Sequence, residues 1–313
     1  MHKTIFLFPG QGSQAVGMGL DVFNQNKKAK KVFEEVDDTL KQNLSKIIFE
    51  GPEEELSLTE NTQPALMATS IAYLKVLEEK LEKPIEQLCQ FVAGHSLGEY
   101  TALCAVEAIS LKDAAKLLKA RGKAMQMAVP KGKGGMAALI GEDYGQIKKL
   151  VDEIASSNLV CEIANDNGGG QVVISGEIQA IERAEEIYKN FNIKRFVRLN
   201  VSAPFHSSLI KKAADVMALE LSKVAIHKPK LPVIANITAT INRDEHKIKD
   251  LLVAQVCGTV RWRESMEGLK GLGITKAYEI GSGKVLAGLL KRIDKEIEVV
   301  NINSLETINN LAS

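Results

Sequence analysis

The sequence predicts an α/β protein in which a large, mainly parallel sheet carries helices on both faces and a small βαββαβ unit is inserted into it. Three observations lead there. Short apolar β-forming runs alternate with helical patterns in both end portions of the chain, an order that yields a parallel sheet. The texture changes at residues 129–198, where strand and helix patterns follow one another as β-α-β-β-α-β. A Gly-x-Ser-x-Gly pentapeptide, Gly94–Gly98, falls between a strand and a helix. At 313 residues, 45% of them hydrophobic, the chain can bury a large core without disulfides or metals.

Thr4 to Phe8 is an apolar run ending at Pro9-Gly10 and reads as a buried first strand. Residues 27–38 carry charges at helical spacing. Asn61-Thr62-Gln63-Pro64 opens a helix, a capping residue followed by Pro in the first turn, and apolar periodicity runs from Ala65 to Leu81. Leu88 to Ala93 is the second strand, and Glu99 to Ile109 is an apolar helix after the pentapeptide. Ser110 and Asp113 form a capping box for a helix from Leu111 to about Ala128. After the loop Pro130–Gly135, the insert reads as strand Met136–Ile140, helix Tyr144–Ala155, strand Leu159–Ala164, turn Asn165–Gly170, strand Gln171–Ser175, helix Ile178–Asn190 and strand Ile193–Leu199. This order is that of a ferredoxin-like split unit. The first texture then resumes: helix Ser207–Val224, strand Leu231–Asn236, helices Lys247–Gln255 and Trp262–Leu269, strand Ala277–Ile280, a Gly281–Lys284 turn with a helix to about Ile293, and strand Ile297–Asn301. The expected division is a large subdomain of 1–128 and 199–313 around an insert subdomain of 129–198.

Charge narrows the function classes. Lys+Arg total 40 against Asp+Glu 39, a net charge of +1. That balance with high hydrophobicity excludes disorder, and it offers no basic excess to neutralise nucleic-acid phosphates. No apolar run reaches the roughly 18 residues of a membrane span, and Thr4–Phe8 is too short for a signal-peptide core. A soluble, cytoplasmic, monomeric protein without a nucleic-acid or membrane partner is expected. Cys89, Cys104, Cys161 and Cys257 include no CxxC pair, so zinc-ribbon spacing is absent and reduced, mostly buried thiols are expected.

The pentapeptide carries the chemistry. A sharp strand-to-helix turn exposes a serine hydroxyl at the sheet's end, as in α/β-hydrolase-like sheets, and flanking glycines let backbones approach closely. The Leu97 N–H then lies at a helix N-terminus, where an oxyanion is stabilised. Ser96 is a candidate nucleophile, and a plain tight turn is the alternative. A nucleophilic serine needs a base. Of the histidines, His2 sits at a frayed terminus, His227 and His246 lie in polar stretches, and the side chain of His95 should leave the strand in another direction than that of Ser96. His206 follows a strand and precedes a helix at the end of the sheet where α/β sites collect, so it is either that base or a capping or core histidine. On the helix from Leu111, four lysines (112, 116, 119 and 123) form one stripe, while Arg121 lies nearly opposite among Leu117, Leu118, Ala124 and Met125. A guanidinium on an apolar face requires a partner, either an internal carboxylate or a bound anion gripped bidentately. The loop Pro9–Gln14 fits neither phosphate-loop pattern and reads as a backbone N–H donor facing the serine. Gly281–Lys284 reads as helix-entry geometry, with a ligand contact as the lesser alternative.

Phe8–Gln14, Thr62–Ala65, Gly94–Glu99, Arg121-Gly122, Gln171–Gly176, Phe205–Ser207 and Gln255–Trp262 occur in order, and together they resemble the malonyl-CoA:acyl carrier protein transacylases of bacterial type II fatty acid synthesis. The resemblance extends from Phe8 to about Arg292. It implies Ser96 as nucleophile and His206 as general base. The backbone carbonyl of Gln255 would orient the imidazole, and the N–H groups of Gln11 and Leu97 would form the oxyanion hole. Arg121 would pair with the malonyl carboxylate, and Gln63, His95 and Asn165 would line the site. It also implies malonyl-CoA and phosphopantetheinylated acyl carrier protein as substrates and partners, with no metal or other cofactor. Phe205, before the histidine, goes with malonyl choice in related polyketide acyltransferases. Two departures concern loops: Thr259 stands where many relatives have Pro, and Gly168–Gly170 is glycine-heavier than usual.

The reading is therefore a ping-pong acyltransferase. A serine esterase or thioesterase would require a triad acid between Ser96 and His206 in the chain, and none stands out. A non-catalytic carrier-binding module would leave Ser96 and His206 without a task. Lys131, Lys133, Lys284, Lys291 and Arg292 flank loops near the expected mouth and are candidate contacts for an acidic carrier.

Overall fold

The computed structural model describes residues 3–141, 144–201 and 203–312, so His2 and Ser202 lie outside the described residues. The first part of the chain forms β1 (Lys3–Phe8), α1 (Leu20–Gln25), α2 (Lys27–Leu40), α3 (Leu44–Glu50), α4 (Glu53–Leu56), α5 (Thr59–Leu81), α6 (Ile85–Leu88), β2 (Phe91–Gly94), α7 (Leu97–Ala105) and α8 (Leu111–Met127). The middle forms β3 (Gly134–Ile140), α9 (Tyr144–Ala155), β4 (Cys161–Gly168), β5 (Gln171–Glu177), α10 (Ile178–Ile187) and β6 (Arg195–Arg198). The last part forms α11 (Lys211–Ser222), β7 (Val233–Ala235), β8 (Thr240–Asn242), α12 (Glu245–Cys257), α13 (Trp262–Glu267), β9 (Ile274–Ile280), α14 (Val285–Ile293), β10 (Glu298–Ile302) and α15 (Leu305–Ala312).

The six-stranded sheet has the order β10-β9-β1-β2-β7-β8. Its ladders are parallel except for β8, which turns back antiparallel on β7 at the edge. Alternation along β1 shows why helices cover both faces. Phe6 and Phe8 join the core built with α2, α5, α7 and α8, whereas Ile5 and Leu7 pack with Trp262, Met266, Leu286 and Leu290 on the other face.

Residues of the middle part build a separate four-stranded antiparallel sheet, β4-β5-β3-β6. One face, Ala137, Leu139, Val172 and Ile174, packs on α9 and α10. The other face turns Met136, Ala138 and Val173 into the main core. A seam fastens β4 to the connection between α12 and α13: Val260 N–H donates to Ala164 O at 2.9 Å, Asp166 N–H to Val260 O at 3.0 Å, and the Thr259 hydroxyl to Ile163 O at 2.6 Å. The last of these is a bond that proline at 259 could not make. The Gly168–Gly170 run also has a cause. All three residues take positive φ, and a Cβ on Gly169 would lie 2.5 Å from Cβ of Arg292 on α14.

Several boundaries differ from the sequence reading. Asn165–Asn167 are strand residues rather than turn: β4 pairs with β5 on one side and holds the Val260 seam on the other, which overrides their poor strand propensity. The second strand begins at Phe91, because Ile85–Leu88 closes a helical turn after Pro84. The helix whose opening reads as Asn61–Pro64, with Pro in the first turn, begins at Thr59 and holds Pro64 in its second turn. A 3-10 turn, Ser208–Ile210, precedes α11. The short helices α1 and α4 and the edge strand β8 were not legible, since α1 and α4 each bury a single side chain and no periodicity accumulates.

Candidate active site

The site is built where β2 ends. His95 and Ser96 connect β2 to α7, and Ser96 takes φ 54°, ψ −108°, outside the helical and extended regions. Gly94 and Gly98 permit this turn by close approach: a Cβ on Gly94 would lie 1.8 Å from Gly98 O, and one on Gly98 2.3 Å from Phe8 O. We expect Gly94→Ala to destabilise the fold by about 3 kcal/mol or more through forced backbone movement. Thermal melts of the variant check this, and an unchanged Tm would contradict it.

The Ser96 hydroxyl lies 2.8 Å from His206 Nε2, and His206 Nδ1 lies 2.8 Å from the backbone carbonyl of Gln255. A carbonyl only accepts, so Nδ1 carries the proton and Nε2 is free to accept from the serine. His206 itself takes φ 57°, which turns the chain between β6 and α11 so that the ring enters the site. Burial, and then the charge of Arg121, lower its pKa from 6.5 to about 3. His206 is therefore neutral, and competent as a base, well below the usual histidine range. The linked stability runs with the same sign. Below pH 6.5 the unfolded chain binds a proton that the folded site refuses, so this contribution to stability falls as pH drops toward 3. NMR titration of the His206 imidazole is expected to show no midpoint between about pH 5 and 8; a midpoint near 6.5 would contradict it.

Arg121, on α8, is 1% exposed. Its Nη1 donates to Gln63 Oε1 at 2.9 Å, and its Nη2 to Gln255 Oε1 at 2.9 Å and to Ser96 Oγ at 3.1 Å. The guanidinium carbon lies 5.5 Å from the centre of the Tyr100 ring. Among the described residues no carboxylate forms an ion pair with it, and Nε has no partner. Of the two partners open at the sequence level, an internal Asp or Glu is thus not the one present. Burial lowers the Arg121 pKa, and Tyr100 and Glu99 offset this only in part, so a cation whose direct contacts are neutral oxygens stands beside the reactive hydroxyl.

A cavity of about 110 Å³ opens on these groups, and Gln11, Gln63, His95, Ser96, Leu97, Arg121, Asn165, Phe205 and His206 all line it with Met125, Met136, Leu199 and Val201. Leu97 is the first residue of α7, where a backbone N–H has no intrahelical acceptor. The Ser96 N–H is instead taken by Asn236 Oδ1 at 2.7 Å. His95 lines the cavity too, its Nε2 2.8 Å from Asn167 Oδ1 and its ring 5.4 Å from that of Trp262. A groove of about 730 Å³ shares Gln11, Met136, Leu199 and Val201 with the cavity and runs past Thr59, Lys131 and Arg198. Lys133, Lys284, Lys291 and Arg292 are exposed, and nothing places them on that groove. The Gly281 turn packs on Pro9 and Ser70 instead of entering the cavity.

Sequence reasoning missed Glu99, Asn236 and Asn167. The available signal for Glu99 was an acid in the first turn of a helix whose nine residues are all buried. For Asn236 it was a polar side chain directly after β7, at the same sheet end as Ser96.

The acyl transferase domain profile matches residues 5–278. A malonyl CoA-acyl carrier protein transacylase of Bacillus subtilis (strain 168) is 44% identical over 308 residues, 98% of this chain and 96% of that protein. Its Escherichia coli (strain K12) counterpart is 42% identical over 293 residues, 94% and 93% of the two chains. The crystal structure of an acyl-carrier-protein-S-malonyltransferase from Bartonella henselae superposes with TM-score 0.95 at 50% identity, covering 99% of this chain and 98% of that one. A further similar structure, TM-score 0.94 at 39% identity over 98% of both chains, is that of a malonyl-transacylase in complex with its type II PKS acyl-carrier protein.

Proposed function

The chain belongs to the acyl transferase family, and from that premise we propose that it moves a malonyl group from malonyl-CoA to the phosphopantetheine thiol of acyl carrier protein, by a ping-pong route through a malonyl ester on Ser96. The observation that carries this reading is the buried Arg121 guanidinium, 3.1 Å from Ser96 Oγ and held by neutral oxygens among the described residues, which fits a carboxylate brought by the acyl group.

In the first half-reaction His206 Nε2 takes the Ser96 proton as Oγ attacks the thioester carbon. Backbone N–H groups of Gln11 and Leu97 receive the oxyanion. Collapse expels the CoA sulfur, which takes the proton from His206. In the second, the carrier thiol gives its proton to His206 and attacks the ester, and the proton returns to Ser96 Oγ. One thioester replaces another, so the exchange is near energetic balance and the residues here supply all the acid-base chemistry the steps need. His206 is oriented by a carbonyl instead of the carboxylate expected of the hydrolase alternative. The architecture we infer behind this is an α/β-hydrolase-like subdomain of 1–128 and 199–313 with a ferredoxin-like subdomain at 129–198, supported by the strand order and separate core of the insert.

Single-turnover mixing with malonyl-CoA, read by intact mass and peptide mapping, is expected to place one malonyl group on Ser96 and to release it on adding holo acyl carrier protein. Docking of an acidic carrier near Lys131 predicts that this second step slows as salt rises. An adduct that the carrier cannot discharge would refute the transfer reading.

A further inference from the structure

One buried acid has no task in the steps just described. Glu99, 3% exposed, sits in the first turn of α7 behind the reacting serine. Its Oε2 accepts the Asn236 N–H at 3.0 Å and Gln255 Nε2 at 2.7 Å. Gln255 Nε2 also meets Ser96 O at 3.0 Å and Asn236 Oδ1 at 3.3 Å, so three acceptors surround one end of that amide. A glutamine amide has a donor end and an acceptor end. With its nitrogen so engaged, Oε1 is turned to Arg121 Nη2. The flipped amide would set oxygen against acceptors and NH2 against the guanidinium. Gln63, the other amide on Arg121, is less firmly fixed: its Nε2 faces the Met125 sulfur at 3.8 Å, a weak acceptor.

We propose that Glu99 is a positioning residue for acyl-carboxylate recognition, holding the Gln255 amide in the orientation that aims Arg121 at the substrate. The inference rests on the malonyl-transfer reading above. Burial raises the Glu99 pKa to about 7, yet protonated or ionised the group keeps an oxygen that accepts from Gln255.

The test measures Ser96 acylation by rapid quench and intact mass, with malonyl-CoA and with acetyl-CoA as donor. Glu99→Met removes the acceptor and is expected to raise the malonyl-CoA concentration for half-maximal rate about tenfold or more while changing acetyl transfer by less than about threefold. Glu99→Gln, whose amide carbonyl accepts the same two bonds, is expected to restore the wild-type ratio of the two donors. Should Glu99→Met not fold, Gln255→Leu removes the amide itself, keeps the carbonyl on His206, and must lower malonyl acylation about tenfold or more relative to acetyl acylation, whatever loss the two donors share. Equal losses with both donors, or Glu99→Gln as impaired as Glu99→Met, would overturn the proposal. A wild-type enzyme that takes no malonyl on Ser96 refutes the parent reading instead, whereas labelled wild type with unsplit variants refutes only the role of Glu99.

Discussion

Ser96→Ala is expected to abolish the covalent malonyl adduct and to lower transfer by on the order of 10⁴-fold or more, the scale seen when a serine nucleophile is removed from its base. The reason is local. Among the described residues, only Ser96 Oγ lies within reach of both His206 Nε2, at 2.8 Å, and Arg121 Nη2, at 3.1 Å. Among the described residues no other hydroxyl or thiol is bonded to His206 Nε2; Nδ1 is committed to a carbonyl, and the four cysteines are free thiols whose pKa burial pushes up. Because the backbone turn at Ser96 is fixed by Gly94, Gly98 and the Asn236 bond to its N–H, the alanine variant should fold, with a melt close to wild type. Folded protein without an adduct is thus the expected result. A malonyl group that persists on another residue would sink the nucleophile assignment.

The residues with strong chemistry were legible because their types conflict with their surroundings. A serine between glycines at a strand-helix junction and an arginine on an apolar helix face both break local rules, and the structure brings them together with the histidine that follows the insert. Glu99 breaks the same rule, since burial among the apolar residues of α7 is costly for a carboxylate. It was passed over because its partner, Gln255, lies 156 positions away and nothing local to α7 announces it. Asn236 is similar: its bonds to Ser96 and Gly94 span 140 and 142 positions. In the fold, long periodic helices such as α5 and α8 could be read from sequence, whereas Asn165–Asn167 could not. Their strand character comes from pairing on both sides, with β5 and with the Val260 seam, and that is a tertiary fact.

Arg121→Ala is expected to lower malonyl transfer by about 10²–10³-fold while acetyl transfer changes far less. Charge-assisted hydrogen bonds contribute about 1.5–3 kcal/mol each, so losing a two-pronged carboxylate contact costs about 3–6 kcal/mol in binding the malonyl transition state, of which water entering the vacated space recovers a part. The acetyl group carries no carboxylate, so acetyl-CoA forfeits none of this. A purely structural role predicts something else. Truncation leaves Gln63 Oε1 and Gln255 Oε1 without their donor in a buried site, a cost of about 1–3 kcal/mol to stability. That penalty, and any disturbance of Ser96, falls on both substrates alike, so it cancels in the ratio of the two rates. Arg121→Lys sharpens the argument: it retains the charge but not the planar fork that spans Gln63, Gln255 and Ser96, and should recover only part of the malonyl rate. Initial acylation rates with the two donors, taken on variants whose melts show them folded, decide the matter. Equal losses would assign Arg121 to architecture, and a loss confined to malonyl would assign it to the carboxylate.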